Sequence, residues 1–91
     1  MALNKNIRLN LDEDAVVFDN PNFDNSIIGV TTDGNVVYDY AKMVAELMSD
    51  DNISEEESID FIHYNTIRSI PYAGPHAPII MYSIEENLYE Q

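Results

Sequence analysis

The chain predicts an α+β fold, a small antiparallel sheet with two helices packed on one face. Three observations carry that reading. An Asp-Gly pair lies between two β-branched runs, two later stretches repeat apolar residues at helical spacing, and a final apolar run follows them. The hairpin is expected over about residues 26–38 and the helices over about 40–49 and 55–69, with short flanking strands.

Ile7, Leu9 and Leu11 alternate with Arg8 and Asn10, a short strand candidate. Ala15 to Phe18 is a second short apolar run, closed by the turn signal Asn20-Pro21-Asn22. Ser26 to Thr32 and Asn35 to Tyr38 flank Asp33-Gly34, and that pair supplies the positive φ a tight hairpin turn requires. Asp39 can then cap a helix from Tyr40, because its carboxylate can accept the unpaired N–H groups of a first turn. Tyr40, Met43, Val44, Leu47 and Met48 form one apolar stripe, and Ser49-Asp50-Asp51-Asn52 ends it.

Ser54 with Glu57 three residues on is a capping box, and Glu55 and Glu56 stand in the first turn, where the helix dipole favours anions. The second helix runs through Ile59, Ile62, Thr66 and Ile67 and should stop before Pro71. Pro71 to Pro78 holds three of the four prolines and reads as extended or turned. Ile79 to Tyr82 is the last strand candidate, followed by an acidic tail. The 91 residues make one domain, 1–91, with ends (1–5 and 84–91) expected to fray.

Seventeen acidic residues face four basic ones, a formal charge of −13. Arg68 is the sole cation from Met43 onward. Direct contact with nucleic acid or an anionic membrane needs clustered Lys and Arg and is not expected. The balance favours either basic protein partners or none that is charged. The chain has no Cys, hence no disulfide, thiolate nucleophile or Cys-ligated zinc. Met-Ala-Leu-Asn-Lys-Asn lacks the apolar run of a signal peptide, which points to the cytoplasm. A homodimer stays open, through a strand edge or the stripe of the first helix.

Most candidate chemistry has a plainer explanation. Aligning Glu57 with the last position of a calcium-binding EF-hand loop puts Met48 at the third position and Asp51 at the tight-turn glycine, which defeats calcium ligation. Asp60 and His63 are three apart on one helical face, and with His76 they are the only nucleus for a small hydrolase or metal-dependent enzyme. No nucleophile elbow and no phosphate-cradling glycine loop accompanies them. The expectation is no catalytic residue, no metal and no cofactor.

Two features remain. Tyr64, Arg68, Tyr72 and His76 lie in or beside a Pro-rich segment that can display a partner-binding surface. Arg68 also falls where a helix C-terminus welcomes a cation, which favours a structural clamp over a contact residue at that position. Glu46, Asp50, Asp51, Glu55, Glu56, Glu57 and Asp60 place seven carboxylates in fifteen residues. That block reads either as a solvated helix junction or as an imitation of nucleic-acid phosphates that occupies a basic groove.

The Asp-Gly hairpin, Val37-Tyr38-Asp39-Tyr40, and Asp60 to Arg68 leading to Pro71-Tyr72 and Ala77 to Met81 give the chain a resemblance over about Val17 to Met81. It resembles a set of short acidic hypothetical proteins of anaerobic Firmicutes and their mobile elements. Tyr64-Asn65-Thr66-Ile67-Arg68 before Pro71-Tyr72 is the most distinctive part. The resemblance implies a bacterial or phage-borne cytoplasmic protein and carries no activity or site residue with it. The leading functional expectation is a non-enzymatic, protein-binding regulatory domain with its surface at Arg68–Pro78. Nucleic-acid mimicry comes second and the small enzyme third.

Overall fold

The structure, a computed structural model, describes residues 11–19, 21–82 and 84. Except for Leu11, the strand candidate at Ile7 to Leu11 lies outside the described residues, and so does the acidic tail except for Ile84. A 3-10 turn, Asp24–Ser26, leads into β1 (Ile27–Val30), and β2 (Val36–Asp39) pairs with it antiparallel. α1 (Tyr40–Asp51) and α2 (Glu55–Phe61) follow, and β3 (Ile79–Met81) ends the described fold. The strands lie in the order β1-β2-β3, so β2 is the centre of the sheet. The α+β class read from the sequence is the observed one.

Two details refine that reading. β3 runs parallel to β2, with Tyr38 opposite Ile80, which makes the sheet mixed. β2 passes straight into α1, and the helical stretch is the crossover a parallel pair requires. The hairpin turn is also one residue longer than the tightest kind. The Gly34 N–H donates to Thr31 O at 2.9 Å and the Thr31 N–H to Asn35 O at 2.8 Å, so three residues bridge the strands and Gly34 alone has positive φ, 91°. Ala15 to Phe18 forms no strand; it meets the sheet where the Phe18 N–H donates to the Tyr38 hydroxyl.

Both predicted caps form. Asp39 accepts from the Ala41 N–H, and Ser54 and Glu57 exchange the two bonds of a capping box. Asn52 ends α1 in the left-handed region, φ 55°. The predicted helix over 55–69 is a helical path whose pitch changes twice. After α2 it widens into a π turn, Ile62–Thr66, where the Ile67 N–H reaches back to Ile62 O, then tightens into a 3-10 turn, Ile67–Tyr72. The path thus runs through Pro71, against the expected stop before it. Pro71 carries no N–H, and the helix closes just beyond it with an Ala73 N–H to Ile70 O bond of 3.0 Å.

One core joins the layers. Phe23, Ile27, Val36, Tyr38, Met43, Val44, Leu47 and Ile62 are all buried, and Ile59, Ile67 and Ile80 pack against them. Met43, Val44 and Leu47 belong to the stripe predicted for the first helix, whereas Met48 stays exposed. Ser58 is buried among them because its hydroxyl donates to Val44 O at 2.9 Å, which pins α2 to α1.

Candidate functional site

The segment Val16 to Asp19 is held by its ends and its ring. The Ala15 N–H donates to Asp12 O at 3.0 Å, and the Phe18 N–H donates to the Tyr38 hydroxyl at 3.0 Å. The Phe18 ring lies 4.7 Å from that of Tyr38 and edge-on to Phe23 at 6.1 Å. Opposite runs the π and 3-10 path, where the Ser69 hydroxyl donates to Thr66 O at 2.7 Å. Between the two walls lies a cavity of about 440 Å³, bordered by Val17, Phe18, Asn65, Ser69, Tyr72 and Pro78. Departures from α-helical pitch of this kind recur at functional sites, because they redirect side chains without breaking the helix.

The four residues singled out as partner-binding fall in three neighbourhoods. Tyr72 borders the cavity and is 88% exposed, an aromatic ring with almost no intramolecular use. Tyr64 and Arg68 meet on the surface, with the guanidinium carbon 5.9 Å from the ring centroid, within cation–π range. His76 lines a small cavity at the hairpin loop with Asp12, Asp14 and Asp33. The segment before β3 is fixed there by the Asn35 amide, which donates to Ala77 O at 2.9 Å. The sequence pointed to Tyr72 but not to the opposing wall at Val16 to Phe18; its only mark is the apolar run before Asn20-Pro21-Asn22.

The acidic block divides. Glu57 is committed to the capping box. Glu46 is half-buried and accepts from the Ser26 hydroxyl at 2.8 Å and the Asn25 amide at 3.4 Å. Burial raises the Glu46 carboxyl above its ordinary range and the charge of Asp50 adds to the rise, while those hydrogen bonds oppose it. Asp50, Asp51, Glu55, Glu56 and Asp60 are exposed. Glu46, Asp50 and Asp51 also border a second cavity of about 440 Å³ together with Asp19 and Asp24.

His63 Nε2 shares a hydrogen bond of 3.1 Å with the Tyr40 hydroxyl, and the Tyr40 ring packs on Tyr82. Burial, with Tyr82 and Glu55 nearby, pushes the Tyr40 phenol up. His63 thus stands beside Tyr40, Asp60 is exposed three residues before it, and His76 stands at the hairpin loop. Among the described residues no group of three or more His, Asp or Glu is disposed to hold a metal ion, and no helix is long and apolar enough to cross a membrane. Comparison with protein-family models, with curated proteins and with solved structures found no match.

Proposed function

We propose that the chain is a non-enzymatic, protein-binding regulatory domain of bacterial or phage origin, acting in the cytoplasm. The observation that supports this most is the groove between Val16–Asp19 and Asn65–Ala73, with the exposed Tyr72 ring at its rim. Exposed aromatic rings beside a preformed cavity are the usual anchors of protein recognition, since they bury large area at small entropic cost. Arg68 stacked on Tyr64 extends the same helical surface. The groove wall is fixed by the core through Tyr38, so the surface is ready before a partner arrives.

The test is a capture experiment from host lysate with the intact chain and with Tyr72→Ala, washed at low and then high salt. A partner retained by the intact chain in both washes and lost by Tyr72→Ala supports the reading. Equal recovery by the two chains sinks it.

Mimicry of nucleic acid is the second reading, favoured by the exposure of Asp50, Asp51, Glu55, Glu56 and Asp60. It requires a basic partner that leaves in the high-salt wash and is lost on neutralising Glu55 and Glu56, with Tyr72→Ala harmless.

A further inference from the structure

Between the 3-10 turn that ends at Tyr72 and the start of β3, residues 73–78 form a strap. Its two ends, Ala73 and Pro78, border the groove cavity, while Gly74, Pro75 and His76 between them are exposed. The strap folds back on itself, the Ala77 N–H donating to Gly74 O at 3.2 Å. Among the described residues one hydrogen bond ties it to a distant part of the chain: the Asn35 amide donates to Ala77 O at 2.9 Å. That amide is aimed by the hairpin turn. The Thr31 hydroxyl accepts from the Asn35 N–H at 3.0 Å and lies 3.3 Å from Asn35 Oδ1, to which it donates. The side-chain oxygen is thereby occupied and the NH2 group is left for Ala77.

We infer that residues 73–78 are a gate on the groove, latched by Asn35 and turning at Gly74, whose opening admits a partner to the cavity. Its purpose rests on the reading of the groove as a protein-binding surface, and the gate names what controls that surface. Local opening is cheapest where few contacts oppose it. The Asn35 bond and the His76 ring beside Gly34 hold the middle of the strap, whereas Pro78 is buried and β3 beyond it is paired with β2. The turning point is Gly74. Its φ is 91°, and a Cβ there would meet nothing within 4 Å, so the backbone turns in open space. Pro71, Pro75 and Pro78 fix their own φ and stiffen the segment around it. A stiff arm with one joint and one latch moves as a unit, as the lids of binding sites do.

The chain has no Cys, so a single introduced thiol reports opening directly. Thr66 is buried and borders the cavity, whereas Val44 is buried in the core away from it. Thr66→Cys and Val44→Cys are each reacted with excess thiol reagent in the full-length chain, alone and combined with Asn35→Asp or with Gly74→Ala. Asn35→Asp keeps the oxygen for Thr31 and removes the donor to Ala77. Gly74→Ala strains the closed strap from a site outside the hairpin. Thr66→Cys alone should react well above the rate of Val44→Cys and well below its own rate in urea. Each added substitution should speed it about five- to tenfold and leave Val44→Cys unchanged. Circular dichroism of each variant confirms the fold.

Three results overturn the gate. A Thr66→Cys thiol as fast as in urea means that the cavity needs no opening. Rates for the two thiols that match, or that rise together, mean that the floor is reached only by global unfolding. A Thr66→Cys rate indifferent to both Asn35→Asp and Gly74→Ala removes the latch and the joint. Labelling involves no partner, so the gate can fail while the lysate capture upholds the groove, and the reverse.

Discussion

The backbone N–H of Phe18 donates to the phenol of Tyr38 at 3.0 Å, so the central strand itself holds one wall of the groove. Tyr38 is fully buried and pairs with Ile27 on one side and Ile80 on the other. Tyr38→Phe keeps the ring and removes the acceptor. The expected cost is about 1 kcal/mol, or roughly 4–8 °C in Tm for a domain of this size. Retention of a partner in the lysate capture should fall as well, because the wall loses its tie. A thermal melt beside that capture checks both; unchanged retention would mean that ring packing alone positions the wall.

Glu46 gives a pH dependence with a definite sign. Its folded-state carboxyl is raised by burial and by Asp50, so the folded state holds the proton more tightly than the unfolded chain. The stability this contributes is full below the ordinary carboxylate range and is lost as pH rises through the raised value. Glu46→Gln keeps an oxygen for the Ser26 hydroxyl and removes the charge. The variant should therefore gain stability over the intact chain at neutral pH, by less than about 1 kcal/mol given partial exposure, and lose that gain in mild acid. Urea melts of both chains at the two pH values read the difference directly.

The capping box sets Glu57 apart from the other two carboxylates of its turn. Glu57 Oε1 accepts from the Ser54 N–H at 3.1 Å, and Glu55 and Glu56 stand in the same first turn outside the box. Ser54→Ala should cost about 1 kcal/mol, because the Glu57 N–H loses its acceptor. Glu55→Gln or Glu56→Gln should cost only a few tenths of a kcal/mol, through the helix dipole. Thermal melts rank the three. Tests of mimicry therefore belong on Glu55 and Glu56, since changing Glu57 alters the helix start as well.

What the sequence disclosed follows the range of the forces involved. Both helix caps and the hairpin depend on residues within four positions of each other, and Asp39, Ser54, Glu57 and Gly34 announced them. The parallel pairing of β3 depends on where two helices deliver Ile79, which no local pattern encodes. The π turn is similarly hidden. Ile62 and Thr66 keep helical spacing, and it is the packing of Ile67 against the core that accompanies the extra residue in the turn. The groove was half legible: Tyr72 stood out as a ring amid prolines, but Val17 and Phe18 lie some fifty residues away and come to the same cavity through the fold, with Phe18 seated on Tyr38 and Phe23.

Two residues with positive φ should answer substitution in opposite ways. Gly34 has φ 91°, beyond the small left-handed basin open to L-residues, whereas Asn52 at φ 55° lies within it. A Cβ on Gly34 would meet the His76 ring at 3.8 Å, an ordinary contact, so Gly34→Ala carries a backbone cost rather than a steric one. That cost is about 1–2 kcal/mol. Asn52 already tolerates its conformation, and Asn52→Gly removes the remaining Cβ strain at a helix end where glycine is the preferred residue. It should be neutral or stabilising by up to about 1 kcal/mol. Urea denaturation separates the cases: the midpoint should fall for Gly34→Ala and hold or rise for Asn52→Gly, with the slope unchanged in both. A Gly34→Ala midpoint equal to that of the intact chain would mean that the three-residue turn relaxes into another geometry. The Thr31–Asn35 bonds would then not be what sets the hairpin register.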